Sequence, residues 1–352
     1  MKFQRNALVI FATVALLSLF FVSPVSPQAK KIVIDQKIGR PYWQSSPPET
    51  GGAPLRNVVG NLTALGYEVV VERGGINSSI LQDASALILF KIKTQAGNYT
   101  QAEIDAIVSW MKTGNKFLWV ASDSDFLDTY LADTGSDFRE DQPNKVLAAI
   151  GSHIRFELCS VESPTWNIGA VYRVLSNVTN TADPDVAKIA TGITKPIYFP
   201  GPAAIIFAND QGTLVSYDTL PKPGLFSSVP AVFWVLKTAP DAKIVDGSPK
   251  FPPVFYSVDD RGSFVLMAGE KYLYGSSKVI VTGESPIGDI GYSIWTDLYR
   301  GVALDGPKIL YNTIAWGLTA DSAPIPTGYY IVGAVVVVIA AVAVYFFFIK
   351  KK

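Results

Sequence analysis

Short apolar runs and glycine-ended helical stretches alternate through the first half of the folded part of the chain. KKIVID (30–35), YEVVVE (67–72), ASALILFK (84–91) and KFLWVAS (116–122) are rich in β-branched and aliphatic residues, the composition of strands buried on both faces. LRNVVGNLTALG (55–66) repeats its apolar positions at helical spacing and ends on Gly66, a glycine C-cap. TQAEIDAIVSWMKTG (100–114) puts Ile104, Ile107, Val108 and Met111 on one face, and Thr100 with Glu103 makes a capping-box pattern. Strands alternating with helices predict a parallel α/β sheet. After residue 150 the pattern changes. IRFELCSV, VYRVLSN, PIYFPGPAAIIF, GTLVSYD, AVFWVLKTA, VFYSV, SFVLMAG and KVIVTGES follow one another with few helices between them, which predicts antiparallel additions to the parallel core. A last helical run, PKILYNTIAWGL, covers 307–318. The expected fold class is α/β, with a mainly parallel sheet and added antiparallel strands. The long loops 36–54, 123–144 and 218–230 are candidate functional surfaces.

Two apolar stretches stand outside this pattern. Lys2 and Arg5 precede ALVIFATVALLSLFF, the basic and apolar regions of an export signal. A cut after Ala29 would leave Pro27 third from the end, so residues 1–29 read either as a cleaved signal peptide or as a signal anchor. YYIVGAVVVVIAAVAVYFFFI (329–349) is uncharged over 21 residues, about 31 Å of helix against a hydrocarbon core of roughly 30 Å. Lys350, Lys351 and Lys352 follow it, and the positive-inside rule keeps such a tail in the cytoplasm. The expected organisation is therefore an extracellular domain over 30–321, a Pro-containing linker at 322–328, one C-terminal transmembrane helix at 329–349 in contact with the lipid bilayer, and a cytoplasmic tail at 350–352.

Composition refines this picture. Asn61, Asn77, Asn98 and Asn177 each open an N-x-[ST] sequon, candidates for glycosylation on an exported chain. Cys159 is the only cysteine, so no internal disulfide forms. Basic and acidic side chains number 30 each, and without a basic field no nucleic-acid partner is expected.

The motifs KIVID, GYEVVVERG, ALILFK, YTQAEIDAIVSWMKTGNKFLWVASDSDF, PGPAAIIF, YGSSKVIVTGES and ILYNTIAWGL occur in an order that resembles the class I glutamine-amidotransferase-like domains of prokaryotic membrane and surface proteins. These include domains linked to gliding motility and to auxiliary ABC-transport components. The resemblance covers about 30–320 and rests mainly on the T-x-x-E-I-x-x-I helix, its closing glycine and the next strand. It implies a flavodoxin-like sandwich, in a branch where many members act as binding or structural modules without enzymatic activity.

Active amidotransferases end the corresponding strand in a G-x-C-x-G elbow whose cysteine works with a histidine and a glutamate. Here the strand ends in Ala121-Ser122-Asp123-Ser124-Asp125, with neither cysteine nor flanking glycine, so no catalytic residue and no cofactor is expected. A hydrolase triad of Ser122, His153 and an aspartate is the alternative chemistry, although the G-x-S-x-G elbow is missing as well. Ser122, Asp123, Ser124 and Asp125 with Glu284 and Ser285, which end a later strand, make a candidate ligand-binding rim. Asp123, Asp125 and Asp128 form a D-x-D-x-x-D pattern that can supply oxygens to calcium, or else a solvated loop that caps a helix. It is not an EF-hand, because Asp128 and Thr134 occupy the positions needing glycine and glutamate. Cys159 lies in an alternating strand with its thiol facing inward. Tyr42, Trp43, Trp166 and Trp295 sit in loop-like contexts suited to a sugar or peptide, whereas Trp119, Trp234 and Trp316 read as core. The expected function is a membrane-anchored extracellular binding or interaction module, accessory to an ABC transporter or cell-envelope assembly. An extracellular hydrolase using Ser122 and a purely structural envelope protein are the alternatives.

Overall fold

The apolar runs of the first half become the parallel part of the sheet. The computed structural model describes residues 29–37, 40, 53–92, 94–126, 138–220, 231–248, 251–288 and 293–319. Lys31–Asp35 (β1), Glu68–Glu72 (β2), Ala84–Leu89 (β3) and Phe117–Ala121 (β4) pair in parallel in the order β2-β1-β3-β4. The helices are α1 (Ala53–Ala64), α2 (Ser78–Leu81), α3 (Gln101–Met111), α4 (Phe138–Ala149), α5 (Pro184–Ile189) and α6 (Gly306–Leu318). Alternation along β1 divides the core in two. Ile32 and Ile34 belong with Val58 and Leu62 of α1 and Ile309 and Ile314 of α6. Val33 belongs with Ile104 and Ile107 of α3 and Val146 and Leu147 of α4. Helices on both faces and a strand order that reverses beside β1 define a doubly wound sheet of flavodoxin-like order. The capping box of α3 forms as its sequence requires, with both the Thr100 and the Glu103 side chains bonded to backbone.

The second half adds Ile154–Phe156 (β5), Ser160–Glu162 (β6), Arg173–Val178 (β7), Ile197–Pro200 (β8), Ile205–Ala208 (β9), Leu214–Val215 (β10), Ala231–Lys237 (β11), Ala242–Val245 (β12), Arg261–Gly262 (β13), Val265–Leu273 (β14), Ser277–Thr282 (β15), Leu298–Tyr299 (β16) and Val302–Ala303 (β17). β15 pairs in parallel with β4 and antiparallel with β14, and the sheet continues through β11 and β7 to β8. β9 branches from β14 and carries β5 and β10. β6, β12 and β13 form a small separate sheet. The sheet is thus mixed, and the expectation of a mainly parallel one is corrected. The change of direction comes at the turn between β14 and β15, where Tyr274 (φ 47) and Gly275 (φ 86) both adopt positive φ, as tight hairpin turns require.

Local pattern misled in two stretches. IRFELCSV is not one alternating strand: it breaks at 157–159, because β5 pairs with β9 and β6 with β12, and Cys159 lies in the bend between them. Val254–Val258 has the look of a strand but forms none, because its amides go elsewhere. The buried Glu157 carboxylate accepts from the backbone N–H groups of Val254, Phe255 and Tyr256 at 2.8 to 2.9 Å. Trp119 and Trp316 are buried as expected, Trp234 is half-buried, and the Cys159 thiol is buried and in no disulfide. Among the described residues no helix is long and apolar enough to cross a membrane. The stretches expected to do so, within 1–29 and at 329–349, lie outside the described residues, apart from Ala29.

His153 fastens β5 to the sheet. Its Nδ1 stands 2.6 Å from Glu270 Oε1 on β14 and its Nε2 stands 2.8 Å from Asp210 Oδ1. Glu270 Oε2 also accepts from Ser152 Oγ and the His153 amide. The hydrogen bond to Glu270, against the cost of burial, raises the imidazole to about 9. A raised histidine stabilises fully below its unfolded value of about 6.5, and the contribution fades as pH climbs through about 9.

Two predictions follow from this packing. His153→Gln removes this alkaline dependence. Between pH 6 and pH 9.5 the native protein should lose more melting temperature than the variant, by roughly 2–4 °C for an effect of about 1 kcal/mol after solvent screening; parallel pH–Tm curves would reject the assignment. Glycines in two helices should respond in opposite directions. A Cβ at Gly317 would enter the Phe117 ring, whereas one at Gly60 meets nothing within 4 Å. In chemical denaturation, Gly317→Ala should destabilise by about 1–3 kcal/mol, and Gly60→Ala should stabilise by about 0.5–1 kcal/mol.

Candidate functional site

Parallel strands end together, and here they end in charge. Asp35 closes β1, Lys91 lies two residues past β3, Ser122 one past β4 and Glu284 two past β15. The Lys91 ammonium lies 2.7 Å from Glu284 Oε1 and 3.2 Å from Asp123 Oδ2. Lys91, Asp123 and Glu284 are all buried. The Lys91 amide donates to Ser285 Oγ at 3.2 Å, and the Ser285 amide donates to Glu284 Oε1 at 2.6 Å. One lysine therefore joins the ends of three strands. Burial pushes the Glu284 carboxyl up to about 8, which Lys91 counters only in part. For Lys91, burial opposes the charge, but the two carboxylates outweigh it and raise the pKa. A proton on Glu284 leaves the trio neutral. Glu284 Oε2 makes no hydrogen bond among the described residues. Gly283 permits this junction, since a Cβ there would overlap the Ala203 carbonyl oxygen.

A second buried cluster stands at the end of β1. The Arg40 guanidinium donates to Asp35 Oδ2 at 2.6 Å, Glu103 Oε1 at 2.8 Å and the Gly97 carbonyl at 2.8 Å. It also lies 4.1 Å from the Tyr99 ring centroid. Lys37 adds a bond to the other Glu103 oxygen at 3.1 Å. Burial raises Asp35 despite this partner. At Glu103 burial pushes upward too, but hydrogen bonds from the Thr100 and Ile76 backbone, with Arg40 and Lys37, carry its pKa below the usual value.

The expected rim residues divide between separate environments. Asp123, Glu284 and Ser285 gather around Lys91. Ser124 points its amide at Gly201 O and Asp123 Oδ1. Asp125 turns away, accepting from Ser160 Oγ at 2.8 Å and from the Gly247 and Ser248 amides at 2.9 and 3.2 Å. Asp123 and Asp125 thus serve different partners. Asp128 lies outside the described residues, among which no group of three His, Cys, Asp or Glu side chains is placed to hold a metal ion.

Ser122 is fully buried, its amide bonded to Thr282 O at 3.1 Å. Positive φ among the described non-glycine residues is confined to Asn115, Asp259, Tyr272, Tyr274 and Arg300, so Ser122 does not sit on a strained left-handed turn. His153 is elsewhere. Its partner Glu270 pairs with Val279 on β15, whereas Ser122 follows Ala121, the partner of Thr282. Three registers along a strand is about 10 Å, and β14 lies two strands from β4.

Asn61, Asn77 and Asn177 are exposed. Asn77 Oδ1 caps α2 and Asn61 Nδ2 donates to Tyr311. Asn98 is half-buried with an Oδ1 that is shut away. Trp295 is buried, Trp166 is 39% exposed, and Tyr42 and Trp43 lie outside the described residues.

Beside the rim is a surface that sequence reasoning missed. Arg173 stands 5.0 Å from the Tyr172 ring and 5.7 Å from that of Tyr299, and Arg300 stands 5.7 Å from the same Tyr299. Tyr299 stacks on buried Tyr198 at 5.3 Å. Neither arginine forms a salt bridge among the described residues, and Tyr172 is 46% exposed. The Tyr172 carbonyl accepts from the Gly201 amide, which places this patch next to Ser124. Its residues are scattered between 172 and 300, so only the fold assembles it. Arg40 left a fainter signal, a cation just beyond a strand that ends in the buried Asp35, whereas Lys91 follows the wholly apolar end of β3. Two surface hollows of about 200 and 430 Å³ share no lining residue with the rim, one lined by Asn144, Arg155 and Val254, the other by Ser78, Ala106 and Trp110.

No family model matches the chain, and no curated protein matches it. Solved structures do. The mmIFT52 N-terminal domain superposes with a TM-score of 0.51 at 14% identity, covering 83% of this chain and 99% of that one. A ThuA-like protein from Bacteroides uniformis gives 0.42 at 12% identity, covering 84% and 93%. A GMP synthase protein from Thermoplasma acidophilum gives 0.35 at 11% identity, covering 82% and 94%. At these identities the likeness is one of fold alone, and only the first of the three is close enough in shape to carry that statement.

Proposed function

We propose that this chain is a membrane-anchored binding module, an amidotransferase-like body held outside the cell that makes and breaks no covalent bonds of its own. The observation that carries this reading is Ser122. It occupies the strand end where such a fold needs its nucleophile, yet it is buried, on unstrained backbone, and far from a histidine whose two ring nitrogens both face carboxylates. A serine hydroxyl needs an adjacent base to attack, and the chain's one histidine is committed elsewhere. The neighbouring Lys91 pairs with both Asp123 and Glu284 as structural charge.

Binding then falls to the surface beside the rim. Arginine held over tyrosine, with no carboxylate partner among the described residues, suits an anionic group on a partner. The setting that resemblance favours is an accessory place in an ABC transporter or a cell-envelope assembly, and this rests on analogy of fold.

Gentle detergent extraction of the full-length protein from its own membranes should recover partner subunits at fixed stoichiometry. The double variant Arg173→Glu, Arg300→Glu should lower that recovery by about tenfold, the effect of roughly 1–2 kcal/mol at an interface; a native protein that emerges alone counts against the reading. Any hydrolytic activity in the same preparation should survive Ser122→Ala. Complete loss would place chemistry at the rim and favour the hydrolase alternative. Lys91→Met should cost about 3–5 kcal/mol in chemical denaturation, because it leaves buried carboxylate uncompensated; a near-neutral result would remove Lys91 from its structural role.

A further inference from the structure

Both ends of the described body leave it at one place. Lys30, ahead of β1, donates its ammonium to the Leu318 carbonyl at the end of α6. Lys278, early in β15, donates to the carbonyls of Trp316 at 3.0 Å and Thr319 at 2.9 Å, and lies 4.8 Å from the Trp316 ring centroid. Lysines of the sheet thus take up the last carbonyls of α6, where a helix end is electronegative. α6 finishes on the edge where the parallel strands begin, opposite the rim where they end. From Thr319 to Tyr329 there are ten residue steps, at most roughly 35 Å of chain.

The same edge carries side chains suited to a headgroup layer. Leu65, between α1 and β2, is 63% exposed, and Tyr274, between β14 and β15, is 39% exposed. Tyr274 is held at φ 47, a conformation that a bulky residue adopts only under constraint. Lys112 is exposed and Lys116 half-buried beside them, with Glu68 and Asp83 the exposed acids of this edge. Leucine, tyrosine and lysine together are the residues of a membrane interface.

We propose that the amino-terminal edge of the parallel strands is the face that rests on the bilayer, with Leu65 and Tyr274 at headgroup level, and that the carboxyl rim and its arginine patch point away from the membrane. The inference rests on the reading of 329–349 as the bilayer span. The partner is the phospholipid surface itself. Strand directions fix the geometry: β7 runs antiparallel to β11, β11 to β14 and β14 to β15, so Arg173 at the start of β7 stands on the side where β15 ends.

The full-length protein, reconstituted in phosphatidylcholine–phosphatidylglycerol vesicles, offers a direct test. Leu65→Cys and Tyr274→Cys on one edge, and Trp166→Cys and Leu298→Cys on the other, are each labelled with a fluorophore and exposed to headgroup spin-labelled lipid. The unaltered chain, whose Cys159 is buried, supplies the background. Quenching severalfold stronger at 65 and 274 than at 166 and 298 is expected; equal or reversed quenching overturns the orientation. An alkaline carbonate wash of the same vesicles separates the two levels. A chain that stays bound while the labels show no preference refutes the orientation and leaves the anchor standing. A chain that washes off refutes the anchor and the orientation with it.

Discussion

Buried charge along the carboxyl ends of the parallel strands is the constraint around which this molecule is arranged. Asp35, Glu103, Asp123 and Glu284 are carboxyl groups withdrawn from water at one edge of one sheet, and each would cost several kcal/mol if left alone. Arg40 and Lys91 each hold a pair of them, and Lys37 adds a bond to Glu103. Arg40 spans Asp35 and Glu103, and Lys91 spans Asp123 and Glu284. The planar fork of arginine suits the first pair together with the Gly97 carbonyl, whereas the point charge of lysine suits a pair supplied by two strand ends. The consequence is a rim whose charges are largely paired with one another, the Glu284 Oε2 apart, in a fold whose strand ends commonly receive ligands.

Two arginines with no carboxylate partner among the described residues lie to one side of that rim. Arg173 and Arg300 rest on tyrosines, and the stacked Tyr299 and Tyr198 give that surface a firm base. Rigidity beneath and unspent charge above is an arrangement suited to recognition, because little side-chain entropy remains to be lost on contact.

What could be read from the sequence was local. The strands β1 to β4 and the capping box of α3 lie in the spacing of a few residues, and all appear within a residue or two of their expected places. The rim was legible in part, since Asp123, Glu284 and Ser285 do meet. The lysine that brings them together was read only as the tail of ALILFK, because an ion pair between positions 91, 123 and 284 leaves no trace in spacing. Asp125 looked like a partner of Asp123, but three donors near 160 and 247 claim its oxygens. Val254–Val258 failed for the same reason. Its alternation is real, but a distant carboxylate took the amides that a neighbouring strand would have used. The proportion of parallel strands was misjudged because strand direction depends on long-range pairing that composition does not encode.

One such pairing bears on how the protein comes into being. Phe117 of β4 pairs with Lys278 of β15, partners 161 positions apart. Until β15 has been made, β4 has an open edge, rich in buried apolar residues, of the kind that invites association between chains. Loop closure over such a distance is slow to nucleate, so the parallel half cannot complete itself as it emerges from the ribosome or a translocation pore. A chain cut anywhere before β15 would keep that edge uncovered.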